Sequence, residues 1–132
     1  KEKTNFTGRA GEYRILSELL LRGYNPAIRA VDNGIDIVLE NGKTIQVKTV
    51  SKPNAGKGYN ISLVNSYYKK GFRLKRASSV RADFLAIWLI DRDDIYIIPT
   101  DDIINKMTLG IYIGGTGRFE AYKNAWNKLE VK

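Results

Sequence analysis

Two neighbouring segments of alternating aliphatic and polar residues constrain the fold more than any other feature of this sequence. Residues 35–39 and 43–50 both alternate in this way, and Asn41-Gly42 lies between them. A period of two is typical of β-strands with one buried face, and Asn-Gly is a common turn between antiparallel strands. The two segments therefore predict a β-hairpin, and its pairing register decides which polar residues share a face.

A two-residue turn at Asn41-Gly42 defines the first of two possible registers. It would place Asp36 opposite Val47, on the other face from Gln46 and Lys48. It would also divide the aliphatic side chains between both faces, so neither face could be buried well.

A three-residue loop at 40–42, with Gly42 in the left-handed conformation, defines the second register. This register places five aliphatic side chains on one face: Ile35, Ile37, Leu39, Ile45 and Val47. Burial of one such side chain stabilises a fold by ~1.5–3 kcal/mol, which outweighs the preference for a particular turn. We therefore predict the second register, which puts Asp36 directly across from Gln46, with Lys48 on the same face and all three within about 5–8 Å.

The rest of the chain predicts an α/β domain over residues 1–132, with a mixed central β-sheet flanked by helices. The further strands are predicted at 26–31, 61–64, 83–90 and 95–98. The helices are predicted at 8–22, 101–107 and 118–129. The first helix has a predicted apolar stripe of Tyr13, Leu16, Leu19 and Leu20, and the last has one of Phe119, Tyr122, Trp126 and Leu129. The sequence of residues 65–80 favours neither a helix nor a strand.

The chain of 132 residues contains no cysteine and no histidine. Disulfides, thiolate chemistry, histidine catalysis and His or Cys metal ligands are therefore excluded for this sequence. A metal ion would have to be held by oxygen atoms, which favours Mg²⁺, Mn²⁺ or Ca²⁺. No apolar run approaches the ~20 residues of a membrane span and no secretory signal is visible, so we expect a cytoplasmic protein that does not bind membranes.

Positive charge is concentrated in one third of the sequence. The chain has 22 basic and 14 acidic residues, a net charge of +8, yet residues 41–82 contain ten basic residues and no acidic one. Such a block with interleaved aromatic residues favours a polyanion such as DNA, and the alternatives are a solvated face or a surface for an acidic protein. The residues that we expect to contact nucleic acid are Arg9, Lys52, Lys57, Lys69, Lys70, Arg73, Lys75 and Arg76.

Glu12 is predicted to lie on the core-facing side of the first helix, in line with Leu16 and Leu19. A carboxylate in that position is costly unless it is paired or bound to a metal ion. Two explanations follow from the sequence. Glu12 either forms an ion pair with Arg9 or contributes to a metal site together with Asp36.

These residues give the sequence a resemblance to the PD-(D/E)XK nucleases. Gly8-Arg9-Ala10-Gly11-Glu12 resembles the G-x-x-G-E opening of many of these enzymes. Asn33-Gly34-Ile35-Asp36, followed by Ile45-Gln46-Val47-Lys48, resembles their D…(D/E)-x-K signature. The resemblance continues into 82–87 and 95–99, and it is nearest to small group I intron homing endonucleases and archaeal Holliday-junction resolvases.

The resemblance implies a restriction-endonuclease-like core that hydrolyses DNA phosphodiester bonds with Mg²⁺ or Mn²⁺. Asp36, Gln46, Glu12 and the Val47 carbonyl are its implied metal ligands, and Lys48 is implied to act on the attacking water or on the developing charge. Gln46 stands where the pattern usually has Asp or Glu, so weaker metal binding or a single ion is expected. An inactive nucleic-acid-binding module with the same fold is the alternative. By analogy, cutting both strands calls for a homodimer or a higher homo-oligomer.

Overall fold

A mixed five-stranded sheet forms the centre of the computed structural model, which describes residues 2–29, 35–54, 56–63, 65–69, 72–76, 80–104, 106, 108–112 and 117–130. One long helix is described, α1 (Glu2–Leu21). The strands are β1 (Ala27–Ile28), β2 (Ile37–Val38), β3 (Thr44–Val50), β4 (Gly58–Ser62), β5 (Asn65–Lys69), β6 (Phe72–Arg76), β7 (Phe84–Leu89), β8 (Asp94–Pro99) and β9 (Thr108–Tyr112). The central sheet has the order β1-β2-β3-β7-β8, with β3 and β7 parallel and the other neighbours antiparallel. The predicted mixed α/β fold is confirmed.

The hairpin of β2 and β3 adopts the register that burial favours. Ile37 pairs with Ile45, and the Leu39 N–H donates to the Lys43 carbonyl at 2.8 Å. Gly42 has a φ of +87°, a left-handed conformation that glycine adopts without strain. Ile37, Leu39 and Ile45 are all buried. The predicted three-residue loop and register are therefore confirmed.

Each face of the central sheet is covered by a different layer. Helix α1 contributes Ile15 and Leu19 to one core, which also contains Ile37, and Val47 packs against it. The paired strands β4 and β9 contribute to a second core on the other face, against which Val50 packs. Because side chains alternate along β3, Gln46 and Lys48 project to the β4–β9 side.

Helix α1 buries a different side from the one that the sequence predicted. Tyr13 and Leu20, which were assigned to the core-facing stripe, are 52% and 54% exposed. The buried line along the helix is Gly11, Ile15 and Leu19. The prediction holds for Leu19, which is buried, and is wrong for Tyr13 and Leu20, because apolar residues occur on two sides of this helix.

The predicted C-terminal helix at 118–129 is also wrong. Two short 3₁₀ helices, Glu120–Tyr122 and Trp126–Glu130, flank Asn124, whose φ is +54°. The Asn124 N–H donates to the Ile95 carbonyl at 2.8 Å, so this segment follows the edge of β8. Since the chain crosses the edge of the sheet here, its aromatic residues are divided between the two cores instead of forming one stripe.

The remaining predictions hold in part. The hairpin of β7 and β8 is confirmed, whereas β4 begins three residues before the strand predicted at 61–64. Strands β5 and β6 form a hairpin within 65–80, and β9 lies where no strand was predicted. The helix predicted at 101–107 is a 3₁₀ helix, Thr100–Ile103. In the described part of the chain, no helix is long and apolar enough to cross a membrane.

Helix α1 comes very close to β3 at Gly11. A Cβ atom at this position would collide with Thr49 Oγ1 and would lie 3.2 Å from Thr49 Cβ and 3.5 Å from Val47 Cγ1. Glycine alone lets the two backbones approach this closely. The contact also sets Glu12, the next residue, at the level of Val47 and Thr49.

Gly11→Ala is expected to lower the free energy of unfolding by ~1–3 kcal/mol, because the new methyl group must displace Thr49 or the helix. Gly8→Ala is the matched control in the same helix. A Cβ at Gly8 has no neighbour within 4 Å, so this change should raise stability by ~0.5–1 kcal/mol through helix propensity alone. Urea unfolding measures both variants, and equal effects would contradict the close contact.

Candidate active site

Asp36 immediately precedes β2 and contacts β3 through its backbone and its side chain. The Asp36 N–H donates to the Ile45 carbonyl at 2.9 Å, and Ile45 is also the partner of Ile37 in the sheet. The carboxylate oxygen Oδ2 of Asp36 accepts the Val47 N–H at 2.7 Å. This hydrogen bond fixes the carboxylate at the edge of β3, where the strand extends past the end of β2.

Gln46 is a buried polar residue with an unsatisfied atom. Its side chain is 9% exposed, and its Oε1 atom has no hydrogen-bond partner. Leaving a buried polar group unsatisfied costs about 1–3 kcal/mol, so such an atom calls for an explanation. Amide and carboxylate oxygens are ligands for Mg²⁺ and Ca²⁺. The donor chemistry of Gln46 and Asp36 therefore fits a divalent cation.

The backbone of Val47 adds a third oxygen at the same edge. The Val47 N–H points toward Asp36, because it donates to the Asp36 carboxylate. In an extended strand, the N–H and C=O of one residue point to the same side. The Val47 carbonyl is therefore directed to the edge of β3 at which the Asp36 carboxylate lies.

Glu12 approaches β3 from the opposite face of the sheet. It is half-buried and follows Gly11, which contacts Val47 and Thr49. The structure thus brings Glu12 to the level of Val47, but on the α1 side, whereas Gln46 projects to the β4–β9 side and the Asp36 carboxylate lies at the edge of β3. Arg9, the ion-pair partner that the sequence suggested, is exposed, and its guanidinium donates to the Tyr13 hydroxyl at 3.2 Å.

Lys48 is half-buried and lines an open cleft between β3 and β4. The cleft has a volume of about 370 Å³, and Lys52, Asn54 and Asn60 also line it. The Asn60 N–H donates to Asn54 Oδ1 at 2.7 Å, and Asn54 Nδ2 donates to the Asn60 carbonyl at 3.1 Å. These two hydrogen bonds fold the loop back onto β4, and the loop carries Lys52 into the cleft.

The residues predicted to contact nucleic acid occupy separate parts of the structure. Lys52 lines the cleft, and Lys57 is exposed in the turn before β4. Four others belong to the hairpin of β5 and β6: Lys69, Arg73, Lys75 and Arg76. Arg9 lies on α1, away from these groups in the sequence, and Lys70 lies outside the described residues.

Two features of this region were not predicted from the sequence. Asparagine is common in loops, so nothing in the sequence distinguished Asn54 as the residue that orders the cleft. Gly11 belongs to the recognised G-x-x-G-E motif, but its contact with Thr49 depends on how the helix packs. Long-range packing of this kind leaves no local signal in the sequence.

Carboxylates are sparse around the candidate site. No group of three or more acidic side chains that could hold a metal ion occurs in the described part of the chain. A cation at the edge of β3 would therefore depend on the Gln46 amide and the Val47 carbonyl as well as on Asp36.

Comparison with known proteins shows a similarity in fold. No protein-family model and no curated protein sequence matches this chain. Among solved structures, it is similar to the bacterial homing endonuclease I-Ssp6803I, with a TM-score of 0.81 and 17% sequence identity. The match covers 96% of this chain and 92% of that chain. At this level of identity, the similarity shows that the two proteins share a fold.

Replacement of Gln46 by methionine tests whether its amide is unsatisfied in the fold. Gln46→Met keeps the length of the side chain and removes the buried polar atoms, so we expect the free energy of unfolding to stay the same or to rise by up to ~1 kcal/mol. Chemical unfolding without divalent cations measures this difference. A loss of more than about 1 kcal/mol would mean that the amide makes a stabilising hydrogen bond.

Proposed function

We propose that this chain is a DNA endonuclease of the PD-(D/E)XK type that requires Mg²⁺ or Mn²⁺. The observation that carries the proposal is the buried, unsatisfied Oε1 atom of Gln46, next to Val47, whose N–H donates to the Asp36 carboxylate. Lys48 follows on the same face of β3 as Gln46. An unsatisfied polar atom beside a carboxylate is costly for stability and useful for binding a cation. The fold shared with a bacterial homing endonuclease supports DNA as the substrate.

The cation would be held by oxygen atoms at the edge of β3. The Asp36 carboxylate, the Gln46 amide and the Val47 carbonyl are the proposed ligands, and Glu12 would contribute from the α1 side. A bound divalent cation supplies positive charge that offsets the charge developing on the phosphate and makes a water molecule easier to deprotonate. The hydrogen bond from the Val47 N–H orients the Asp36 carboxylate for this role.

Lys48 is the proposed catalytic residue of the cleft. Its ammonium group would stabilise the negative charge that develops on the phosphate, or its amine would orient or deprotonate the attacking water. Lys52 lines the same cleft and would bind a phosphate next to the scissile bond. The basic residues of the β5–β6 hairpin would extend this phosphate-binding surface along the DNA.

Cleavage is tested by incubating the purified protein with labelled duplex and four-way-junction DNA in Mg²⁺, Mn²⁺ or EDTA. We expect cutting that requires the cation and falls by at least ~10²-fold in Asp36→Asn and Lys48→Met, because each removes a charge that acts in the transition state. Lys48→Met should still bind DNA. Lys43→Met, a half-buried lysine near the other end of β3, is the control that should retain activity.

Two results would contradict the proposal. Cutting that persists in EDTA or in Asp36→Asn would remove the cation site from the mechanism. Tight binding of both DNA substrates without any cutting would favour the inactive nucleic-acid-binding module, with Gln46→Glu as the first variant to test for a gain of activity.

The affinity for duplex DNA is expected to fall steeply with salt. A plot of log affinity against log salt concentration has a negative slope. Each phosphate contact that is lost should make this slope shallower by about 0.9. Replacing Lys52 and Lys57 together by alanine should therefore flatten this slope, whereas Lys128→Ala should not. Fluorescence anisotropy at several salt concentrations measures the slopes, and an unchanged slope in the double variant would exclude these two lysines as phosphate contacts.

A further inference from the structure

The outer face of the paired strands β4 and β9 consists mostly of small residues. The inner residues Tyr59, Ile61, Leu109 and Ile111 are buried in the core that these strands share with the central sheet. Because side chains alternate along a strand, the residues between them face outward. The outward residues of the two strands are Gly58, Asn60, Ser62, Thr108, Gly110 and Tyr112. Tyr112 is the only aromatic residue among them.

The ring of Tyr112 lies along this face instead of projecting from it. Tyr112 is the cross-strand partner of Gly58 and follows Gly110 by two residues in β9. A Cβ atom at Gly58 would lie 2.8 Å from Tyr112 Cδ1, and one at Gly110 would lie 3.2 Å from the Tyr112 hydroxyl oxygen. The ring therefore occupies the space in which side chains at both positions would stand, and it contacts the sheet at both places.

The outer side of the Tyr112 ring is open. Tyr112 is 55% exposed although it packs on two glycines. Packing of an aromatic ring on a glycine of the neighbouring strand stabilises a sheet, which accounts for the inner side of the ring. The same packing fixes the orientation of the ring, so a flat ligand that covers the outer side costs little further conformational entropy.

This aromatic surface borders the candidate cleft. Asn60, the cross-strand partner of Gly110, lines the cleft together with Lys48 and Lys52. The hydroxyl end of the Tyr112 ring lies over Gly110, so the ring extends toward the part of the sheet to which Asn60 belongs. A nucleic-acid strand that leaves the cleft past Asn60 therefore meets the ring next.

The charged residues next to this surface in the sequence are basic. Lys57 precedes Gly58, and Arg118 follows Gly117, and both cations are exposed. Gly58 lies at the Cδ1 edge of the Tyr112 ring, whereas a Cβ at Gly117 would lie 3.7 Å from Cδ2, at the opposite edge. An aromatic ring flanked by cations is typical of sites for single-stranded nucleic acid, because bases stack on the ring and phosphates contact the cations.

We propose that Tyr112 stacks on an unpaired nucleobase of DNA beside the candidate cleft. Inside a duplex, neighbouring bases cover both sides of each base, so a protein ring stacks on a base that is unpaired or extruded. The preferred DNA therefore has unpaired nucleotides next to the phosphates held by Lys48 and Lys52. The inference rests on the proposed function, because it takes DNA as the ligand, but it does not require that the chain cleaves DNA.

Two DNA hairpins that differ only in their single-stranded tails test the proposal. One tail has ~10 thymidines, and the other has the same length and charge but consists of abasic nucleotides. Fluorescence anisotropy in EDTA, where the proposed cleavage does not occur, measures both dissociation constants. We expect the wild-type chain to bind the thymidine tail at least ~5-fold more tightly, because stacking of one base on an aromatic ring contributes about this factor or more.

Substitutions at Tyr112 assign the preference to its ring. Tyr112→Leu should abolish the preference for thymidine and leave binding of the abasic tail unchanged, whereas Tyr112→Phe, which keeps the ring, should retain the preference. Tyr112→Thr is a second variant without a ring, and its β-branched side chain suits a strand. Tyr13→Leu is the matched control, because Tyr13 is 52% exposed on α1, and it should bind both tails like the wild type. Circular dichroism establishes that each variant is folded.

Three outcomes would overturn the stacking proposal. They are equal binding or no binding of the two tails by the wild-type chain, a preference that persists in Tyr112→Leu and Tyr112→Thr, and a preference that is lost in Tyr13→Leu. A chain that cuts duplex DNA but binds both tails equally would overturn this proposal and leave the proposed function standing. A chain that prefers the thymidine tail but cuts no DNA in Mg²⁺ or Mn²⁺ would do the reverse.

Discussion

The pairing of β2 with β3 determines where the candidate catalytic groups lie. Burial of Ile37, Leu39 and Ile45 against α1 fixes this register, and a shift by one residue would turn Asp36 to the other face of the sheet. In the same register, β3 extends beyond the residues that pair with β2. There the Asp36 carboxylate accepts a hydrogen bond from the Val47 N–H. The hydrophobic core therefore positions the polar site, although no aliphatic side chain takes part in its proposed chemistry.

The alternation of aliphatic and polar residues in 35–39 and 43–50 predicted the hairpin of β2 and β3 and its register. It did so because the aliphatic side chains are buried together only if they share one face of the hairpin. For α1, the same reasoning was right for Leu19 but wrong for Tyr13 and Leu20, which are exposed, and it did not predict that Gly11 faces the sheet. It was also wrong after Phe119, because the backbone follows the edge of β8 instead of forming a helix. The pairing of Ile37 with Ile45 was predictable from the local sequence, whereas the cleft shaped by Asn54 depends on contacts between distant segments.

The candidate site also shows where stability and proposed function conflict. A buried Gln46 amide oxygen without a partner costs free energy that an apolar residue would not cost. Unsatisfied polar groups are expected at binding sites, where the ligand completes the hydrogen bonding or coordination that the protein leaves open. The Gln46 amide, the Asp36 carboxylate and the half-buried ammonium of Lys48 together give this edge of the sheet a chemistry that packing alone does not explain.

Binding of a divalent cation at the edge of β3 is the claim on which this account depends. Titration of Mn²⁺ into ¹⁵N-labelled protein tests it directly, because the paramagnetic ion broadens the NMR signals of nearby amides. The account predicts that the Val47 backbone amide and the Gln46 side-chain amide broaden first, and that Asp36→Asn abolishes this effect. Broadening confined to other acidic positions, such as the turn at 91–94, would contradict it.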